Sequence, residues 1–384
     1  MTQIVLLGDI AEINMGQSPK SEFYNSDGEG LPFMQGVRTF GRIYPVIDTW
    51  CTKPTKTADK GDVLFSVRAP VGDLNYAPEH MCIGRGLASL KSRNNTFLFY
   101  LLEANKERLI SSQTGSIFGS VNATILKNFK LTIPDSAEDQ DKIADILRTL
   151  DEKIELNRQM NETLEQMGQA LFRHYFIDNP EAEKWEEKTL GDIIDLRGGL
   201  SYKASFLSED ASDMPMVTMG CVSGKYRINL DALKRYTGAY KEQHVLNPGD
   251  IFIATRDVTQ DRVLIGSPAV VPEALGQVIC ATNLYKVVLK ENISTEFLYQ
   301  LMRTNRYREQ IIAHAKGSTI VMLTKDSVLN YGLRVDFSSE SYKEYIDKAE
   351  AIRQAIDINS EQIQTLTTLR DTLLPRLING KVKV

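Results

Sequence analysis

The sequence has no long hydrophobic run and few cysteines. No uninterrupted apolar stretch reaches the roughly 18 to 20 residues that a membrane-spanning helix needs, and no basic segment precedes an apolar one near the N-terminus. The 4 cysteines are scattered without a Cys-X-X-Cys spacing, which argues against a zinc site and against a disulfide framework. We therefore expect a cytoplasmic protein with reduced thiols.

A surplus of positive charge is also lacking, because the formal net charge is -5 over 384 residues. This value at first argues against a nucleic-acid partner. The surplus acid is local, however: residues 136–184 carry 12 acidic and 6 basic side chains, whereas residues 1–135 and 185–337 are nearly balanced. Since a balanced region can still place its Lys and Arg on one face, net charge does not decide the class of partner.

Motifs of catalysis are missing as well. No Gly-X4-Gly-Lys-Ser/Thr loop is present, so the sequence predicts no ATP-driven motor. No Gly-X-Ser-X-Gly elbow occurs, and His80, His174, His244 and His314 lie far apart without the paired spacing of metal ligands. We expect no catalytic residues and no metal site on this chain.

What the sequence does contain is an internal repeat. Leu6–Lys20 resembles Thr189–Lys203 at an offset of 183, and both keep Gly-Asp-Ile and Gly-X-Ser-X-Lys. Lys60–Arg68, "KGDVLFSVR", has a near-copy in Pro248–Arg256, "PGDIFIATR", at an offset of 188. A Gly-Asp turn leading into an apolar run predicts a buried strand in each copy.

Two further blocks continue the repeat in the same order. Phe97–Leu102 matches Phe297–Met302 at an offset of 200, and residues 126–129 match residues 328–331 at an offset of 202. Because the offsets only grow along the chain, we infer one ancestral unit with loop insertions in its second copy.

Each copy ends in a segment whose seam positions alternate in steps of four and three residues. Such a pattern, kept over more than three heptads and occurring twice, predicts a coiled coil. Asn157 and Asn359 occupy the same seam position, where a buried Asn fixes register at a cost in stability. We expect the two helices to pair with each other; the alternative is that each packs only on its own globular domain. The predicted seam residues include Leu147, Leu150, Ile154, Asn157, Leu164, Leu171, Ile352, Ile356, Asn359, Ile363, Leu366 and Leu373.

The predicted fold class is α+β. It consists of two similar mixed α/β domains separated by two long antiparallel coiled-coil helices, with pseudo-two-fold symmetry. The predicted segments are a first domain (1–137), a first long helix (138–176), a linker (177–188), a second domain (189–338), a second long helix (339–378) and a tail (379–384).

In this organisation the chain resembles the specificity (S) subunits of type I restriction-modification systems. The resemblance is carried by two Leu-Gly-Asp-Ile starts, the "GQSPK" and "GLSYK" turns, the two Gly-Asp-strand-Arg blocks and the two long helices. It implies two target recognition domains, each reading one half of a split, asymmetric DNA sequence. It also implies double-stranded DNA, two methyltransferase (modification) subunits and restriction (motor-nuclease) subunits as partners. Those subunits would bind S-adenosylmethionine, ATP and Mg²⁺, and this chain would bind no cofactor.

Polar and cationic side chains on loops are the candidate DNA contacts. Arg68 and Arg256 are matched, since each ends the strand of its Gly-Asp block; the alternative for them is a salt bridge with Asp62 and Asp250. The candidates in the first domain are Gln17, Ser18, Lys20, Gln35, Arg38, Arg42, Arg68 and Arg85. Those in the second domain are Ser201, Tyr202, Lys203, Lys225, Tyr226, Arg227, Arg256 and Arg262.

A rod with a reader at each end would also measure distance along DNA. A helix of about 37 residues spans roughly 55 Å at ~1.5 Å per residue, against ~34–36 Å per turn of B-DNA. The main alternative is a pseudo-symmetric coiled-coil adaptor that binds partners other than DNA, and a third hypothesis is an enzyme whose site has no recognised motif.

Overall fold

The computed structural model describes residues 2–111, 120–223, 227–257, 262–290, 293–315, 321–382 and 384. The chain divides into two compact units. Unit 1 comprises Met1–Glu155 with Gln364–Val384, and unit 2 comprises Leu156–Ile363. Each unit therefore contains one of the two repeated domains together with a part of both long helices.

Short strands and short helices make up the domain of unit 1. The strands are β1 (Thr2–Leu6), β2 (Ala11–Met15), β3 (Tyr24–Asn25), β4 (Leu31–Met34), β5 (Trp50–Cys51), β6 (Thr57–Ala58), β7 (Val63–Ser66), β8 (Leu74–Tyr76), β9 (Met81–Ile83), β10 (Leu87–Ser92) and β11 (Lys130–Pro134). The helices are α1 (Leu7–Ile10), α2 (Asn95–Ala104), α3 (Lys106–Ser111) and α4 (Ala123–Lys127). The first long helix, α5, runs from Ala137 to Phe172 and continues as a π-helical turn over Arg173–Ile177.

The domain of unit 2 repeats this pattern. Its strands are β12 (Glu187–Thr189), β13 (Ile194–Gly198), β14 (Leu207–Ser208), β15 (Met214–Val217), β16 (Lys234–Tyr236), β17 (Val245–Leu246), β18 (Ile251–Ala254), β19 (Arg256–Asp257), β20 (Pro268–Val270), β21 (Val278–Cys280), β22 (Leu284–Leu289), β23 (Val321–Met322) and β24 (Gly332–Arg334). Its helices are α6 (Leu190–Ile193), α7 (Thr295–Leu301), α8 (Asn305–His314) and α9 (Lys325–Leu329), and the second long helix is α10 (Glu340–Ile378).

The sheets of the two units have the same strand order. In unit 1 a four-stranded antiparallel sheet, β2-β10-β7-β8, accompanies a five-stranded sheet, β3-β5-β4-β9-β6, in which β4 and β9 run parallel. In unit 2 the corresponding orders are β13-β22-β18-β20 and β14-β16-β15-β21-β17, and the pair β15 and β21 is again the parallel one. The repeat predicted from the sequence is thus a repeat of the fold.

The Gly-Asp blocks form central strands that are buried on both faces. Val63 and Phe65 of β7 belong to one apolar core of unit 1, and Leu64 between them belongs to another. Side chains along a strand alternate between its faces, so two cores require an unbroken apolar run. The strand β18 repeats the arrangement in unit 2, where Ile253 and Phe252 lie in different cores. This double burial explains why "VLFSV" and "IFIAT" remained alike.

The turn before each of these strands is stabilised by its Asp. Gly61 and Gly249 both adopt φ +84°, a left-handed conformation that favours glycine. The carboxylate of Asp62 accepts the backbone N–H of Asp59 at 2.9 Å, and that of Asp250 accepts the N–H of Asn247 at 2.9 Å. Burial raises the pKa of Asp62. The Gly-Asp dipeptide found in both repeats therefore has a structural role, which is to form and stabilise the turn before the strand.

Both long helices begin at a serine that caps them. The hydroxyl of Ser136 accepts the N–H of Asp139 at 3.3 Å, and that of Ser339 accepts the N–H of Tyr342 at 3.2 Å. The helices start and end within a few residues of the predicted limits, and α10 is followed by Gly380 at φ +65°. No described helix is both long enough and apolar enough to cross a membrane.

In unit 1 the two long helices pair and also complete the core of the domain. Leu147 of α5 and Leu377 of α10 are buried in the same cluster as the domain residues. Between the helices, the guanidinium of Arg370 donates to the carboxylate of Asp151 at 2.6 Å. Tyr100 of the domain donates its hydroxyl hydrogen to the same carboxylate at 2.6 Å. Helix pairing and docking of the helices on the domain therefore share one carboxylate.

In unit 2 the seam is partly polar. The side-chain amide of Asn157 donates to the amide oxygen of Gln362 at 3.1 Å, and that of Asn359 donates to Asn161 at 2.9 Å. Residue numbers fall on one helix as they rise on the other, so the helices are antiparallel. The predicted seam positions are buried or half-buried throughout both helices. The expectation that the helices pair with each other is confirmed, and each also packs on a domain.

Candidate nucleic-acid interface

Three turns of unit 1 meet at one surface. The backbone N–H of Gln17 donates to the carbonyl of Ile83 at 3.0 Å, and the N–H of Gly84 donates to the carbonyl of Met34 at 2.7 Å. The N–H of Gly86 donates to the carbonyl of Gln35 at 3.0 Å. These bonds hold together the turns Gly16–Ser18, Gln35–Gly36 and Gly84–Gly86, and we call the surface of Gln17, Ser18, Gln35 and Arg85 the three-turn surface.

Glycines make this close approach possible. A Cβ at Gly16 would lie 2.2 Å from the carbonyl oxygen of Gly84, and one at Gly84 would lie 2.8 Å from the Cα of Gln35. A Cβ at Gly86 would lie 2.4 Å from the carbonyl oxygen of Gln35. Any side chain at these positions would push the turns apart, so the glycines set the spacing of the three-turn surface.

The side chains on the three-turn surface are polar and available to solvent. Gln17, Gln35 and Arg85 are exposed, and Ser18 is half-buried. The hydroxyl of Ser18 accepts the backbone N–H of Arg85 at 3.1 Å, which ties two of the turns together. Lys20 follows on the same loop and is exposed, with Glu22 4.0 Å away. Amide, hydroxyl and cationic groups in this arrangement can bind base edges and phosphates.

The other candidates of unit 1 differ in their surroundings. Arg38 is exposed but forms a 2.7 Å ion pair with Asp48, and its hydrogen bond lowers the pKa of that carboxyl group. Arg42 is exposed, and no described residue forms an ion pair with it. Arg68 is exposed and pairs through its backbone with Ser120. Only part of the predicted set is thus brought together on one surface.

Unit 2 builds the same three turns. The N–H of Leu200 donates to the carbonyl of Cys280 at 2.7 Å, and the N–H of Ala281 donates to that of Val217 at 3.0 Å. A Cβ at Gly199 would lie 2.0 Å from the carbonyl oxygen of Ala281, as Gly16 requires in unit 1. The backbone bonds therefore place Leu200, Ser201, Thr218 and Thr282 where unit 1 has Gln17, Ser18, Gln35 and Arg85.

Three of these residues, Leu200, Thr218 and Thr282, were missed by the sequence reasoning. Thr282 is exposed and Thr218 is half-buried, and neither resembles its counterpart in unit 1. A signal was available in the loops between the aligned blocks, because the offset must rise from 188 to 200 somewhere between Arg256 and Phe297. Thr282, which replaces Arg85, lies inside that interval.

The remaining candidates of unit 2 also separate by environment. Tyr202 packs edge-to-face on Tyr236 with ring centroids 6.2 Å apart, so its ring is partly structural. Ser201 and Lys203 are exposed. Arg262 is half-buried and has a left-handed backbone with φ 51°. Lys225 and Tyr226 lie outside the described residues.

Arg227 requires a correction, because its side chain is only 10% exposed. Its guanidinium forms ion pairs with Glu296 and with Glu165 of α5, and it stacks on the ring of Tyr299 at 4.5 Å. Arg303 completes the group through an ion pair with the same Glu165. Burying an arginine requires charged partners, and these are supplied by Glu165 of α5 and Glu296 of α7. We therefore leave Arg227 out of the proposed DNA-binding surface.

Arg68 and Arg256 occupy equivalent places, as their sequence positions predict. The backbone of Arg68 bridges Ser120, and that of Arg256 pairs with Met322, which is 202 residues later. Within the described part of the chain, Arg68 and Arg256 form no salt bridge with Asp62 or Asp250, which was the structural alternative for these two arginines. Asp62 binds a backbone N–H, and Asp250 forms its ion pair with Lys286 at 2.9 Å.

The described residues offer little for covalent or metal chemistry. Among them, no group of three or more His, Cys, Asp and Glu side chains could hold a metal ion. All four cysteines are buried. Burial raises the pKa of the Cys280 thiol to about 12 and also raises that of Cys82, so these thiols are protonated near neutral pH.

Comparisons with known proteins agree on one family. A model of the "Type I restriction modification DNA specificity domain" matches residues 2–166 and again residues 182–367. The putative type I restriction enzyme MjaX specificity subunit of Methanocaldococcus jannaschii is 43% identical over 169 residues, which cover 42% of this chain and 40% of that protein. The MjaIX specificity subunit of the same organism is 25% identical over 98% of this chain and 92% of its own length.

A solved structure supports the fold. The chain resembles the crystal structure of the type I restriction-modification system S subunit from M. genitalium, with a TM-score of 0.61 and 16% sequence identity. The match covers 98% of this chain and 96% of that one. The first of the two sequence relatives, by contrast, is matched over less than half of its length.

Proposed function

The chain belongs to the family of type I restriction modification DNA specificity domains, and from this premise we propose that it is the DNA sequence-specificity subunit of a type I restriction-modification complex. Its two domains read the two halves of a bipartite, asymmetric DNA target. The chain itself performs no catalysis. Methyltransferase and restriction subunits bind S-adenosylmethionine, ATP and Mg²⁺ and carry out the reactions in the cytoplasm, where the DNA lies.

The observation that carries this proposal is a shared backbone that presents different side chains. Two equivalent backbone hydrogen bonds join the turns in both units, from Gln17 and Gly84 in unit 1 and from Leu200 and Ala281 in unit 2. Gln35 and Arg85 of unit 1 are nevertheless replaced by Thr218 and Thr282 in unit 2. Base edges in the major groove are distinguished by the type of donor or acceptor that meets them. Two unlike sets of side chains therefore favour two unlike half-sites.

Exposed apolar residues at equivalent positions of the two long helices favour the binding of two identical protein subunits. Leu156 and Met167 of α5 are 49% and 52% exposed. The positions 202 residues later, Ile358 and Leu369 of α10, are 55% and 43% exposed. Large apolar side chains are thus left in solvent at equivalent places on both helices. We propose that each helix binds one methyltransferase subunit through these residues.

Binding to duplex DNA in the presence of the methyltransferase partner tests the proposal. We expect binding that selects one bipartite sequence and weakens steeply as the salt concentration rises, because bound cations are released from phosphates. Mapping of methylated positions in cells that carry this chain and its partner should show the same sequence. Absence of any duplex preference in the full complex would favour the adaptor hypothesis instead.

The length of the helices offers a second test. Four residues inserted into both α5 and α10 add about 6 Å to each helix. If the helices set the spacing, the two half-sites should move apart by about two base pairs, since B-DNA rises ~3.4 Å per pair. Methylation at the original spacing would show that the helices do not set it.

A further inference from the structure

We infer that Arg85 determines specificity by reading the guanine of a G·C pair, and that Gln17 and Gln35 read adenine beside it. The inference rests on the proposed function and goes beyond it, because it assigns base identity to named side chains of the three-turn surface. Lys20, next to this surface, is assigned to a phosphate.

The backbone around Arg85 is held on both sides. The N–H of Gly84 donates to the carbonyl of Met34 at 2.7 Å, and the N–H of Gly86 donates to the carbonyl of Gln35 at 3.0 Å. The N–H of Arg85 itself donates to the hydroxyl of Ser18 at 3.1 Å. Three consecutive backbone N–H groups are thus bound to fixed acceptors. A rigid support of this kind reduces the ordering cost when a side chain binds.

Arg85 is the sole side chain of the tripeptide, because its neighbours are glycines. No Cβ can be placed at Gly84 or Gly86 without a close approach to Gln35. The side chain of Arg85 is exposed, and no described residue forms an ion pair with it. Arg38 of the same domain is likewise exposed but is already bound to Asp48. Arg85 therefore keeps its guanidinium donors for a ligand.

The chemistry of the three side chains selects the bases. A guanidinium donates two parallel hydrogen bonds to O6 and N7 of guanine, and a glutamine amide both donates to and accepts from adenine. The glutamines qualify because Gln17 and Gln35 are exposed on the two turns that flank Arg85. A lysine ammonium is a compact charge on a flexible stem, which suits a phosphate without selecting a base.

The equivalent surface of unit 2 lacks these groups. Leu200, Thr218 and Thr282 stand where unit 1 has Gln17, Gln35 and Arg85. They offer methyl groups and hydroxyls, which suit contacts with the methyl group of thymine. None of them can donate two parallel hydrogen bonds to O6 and N7 of guanine. The guanine requirement assigned to Arg85 should therefore be confined to the half-site read by unit 1.

The experiment compares Arg85→Ala, Arg85→Thr and Lys20→Ala with the unchanged chain, each assembled with its methyltransferase partner. Binding is selected from a randomised duplex library and the bound sequences are counted. Arg85→Thr copies the residue that unit 2 carries, and Lys20→Ala is the matched loss of one exposed cation. All three changes affect exposed side chains, so the assembled complex should form; its yield is measured on each preparation.

For both Arg85 variants we expect the preference for one G·C pair in one half-site to fall roughly 10- to 100-fold, with the other half-site unchanged. Lys20→Ala should weaken all sequences alike and leave the motif as it was. An unchanged motif in the Arg85 variants would overturn the inference, and so would equal weakening of all sequences, which would make Arg85 a phosphate contact. Failure of the unchanged chain to select any duplex would refute the proposed function itself.

Discussion

The two units differ most where each domain meets the long helices. In unit 1 the contact is aliphatic, with Leu374 and Leu377 of α10 in the domain core, and its polar group is Tyr100–Asp151–Arg370. In unit 2 it is aromatic. Phe172 of α5 and Tyr342 of α10 pack against Phe297 of the domain in tilted and edge-to-face arrangements. The buried charges are Arg227, Arg303, Glu165 and Glu296.

The polar contacts between domain and helix differ in the two units although they involve equivalent sequence positions. Tyr100 corresponds to Gln300 and Arg370 to Gly168, and a Cβ on Gly168 would lie 2.7 Å from the amide nitrogen of Gln300. Unit 1 thus joins the domain to α5 through the hydrogen bond from Tyr100 to Asp151, which also pairs with Arg370, whereas unit 2 brings the amide of Gln300 directly against the helix backbone at Gly168. Backbone geometry was kept between the repeats, and the groups that cross the contact were replaced as sets.

The largest expected effect comes from breaking the buried charges of unit 2. Glu296→Ala leaves Arg227, which is 10% exposed, with Glu165 as its remaining acidic partner, so that two arginines share one carboxylate. We expect the free energy of unfolding to fall by about 3–5 kcal/mol, measured by urea denaturation. The matched control is Thr96→Ala, the equivalent position of unit 1, which should cost about 1 kcal/mol. Equal losses in the two variants would contradict the account of the network.

A smaller effect is expected from the interhelical pair of unit 1. Asp151→Ala removes the acceptor shared by Arg370 and Tyr100, and should lower the free energy of unfolding by about 1–3 kcal/mol. The comparison is Asp357→Ala in unit 2, whose carboxylate pairs with Arg353 on its own helix at 2.7 Å. Pairs within one helix contribute about 0.2–0.5 kcal/mol. A larger loss for Asp357→Ala would show that pairing between the helices is not the stronger contact.

The two seam asparagines should respond differently to the same substitution. Asn157 is fully buried, and its amide oxygen has no partner among the described residues. Asn157→Leu should therefore raise the free energy of unfolding by about 1 kcal/mol. Asn359→Leu should lower it by about the same amount, because Asn161 would lose the hydrogen bond at 2.9 Å. Shifts of the same sign in both variants would contradict this distinction.

The smallest effect concerns the surface pair of Arg38 and Asp48. Because the hydrogen bond from Arg38 lowers the pKa of Asp48, the pair is present above the ordinary pKa of an aspartate and is lost as the pH falls through the lowered value. Asp48→Asn should remove this dependence and leave the unfolding temperature near pH 7 almost unchanged. Titration of the Asp48 carboxyl signal by NMR in the chain and in Arg38→Ala checks the direction.

The repeat, the long helices and the seam could be predicted from sequence, since each leaves a periodic or ordered pattern. The strands β7 and β18 stayed alike because both of their faces are buried. Gly16 and Gly199 stayed glycine because a Cβ would meet a backbone oxygen. Local physical constraints of this kind survive duplication and remain readable in one chain.

Contacts between distant segments could not be predicted. From the sequence alone, Arg227 was expected to be an exposed arginine on a loop. Its partners Glu165 and Glu296 lie 62 and 69 residues away in the chain. No local pattern marks such a set, so its burial emerged only from the structure. The equivalence of Arg85 and Thr282 was hidden for another reason: the side chains differ, and only the backbone hydrogen bonds identify the position.

The central claim is that two independent readers share one chain, and an exchange of one reader tests it most directly. Residues 1–135 are replaced by the corresponding domain of another member of the family, and the methylated sequence is mapped in cells that supply the methyltransferase partner. We predict that one half-site changes to that of the donor while the other half-site stays as it was. A change in both half-sites, or in neither, would contradict the claim.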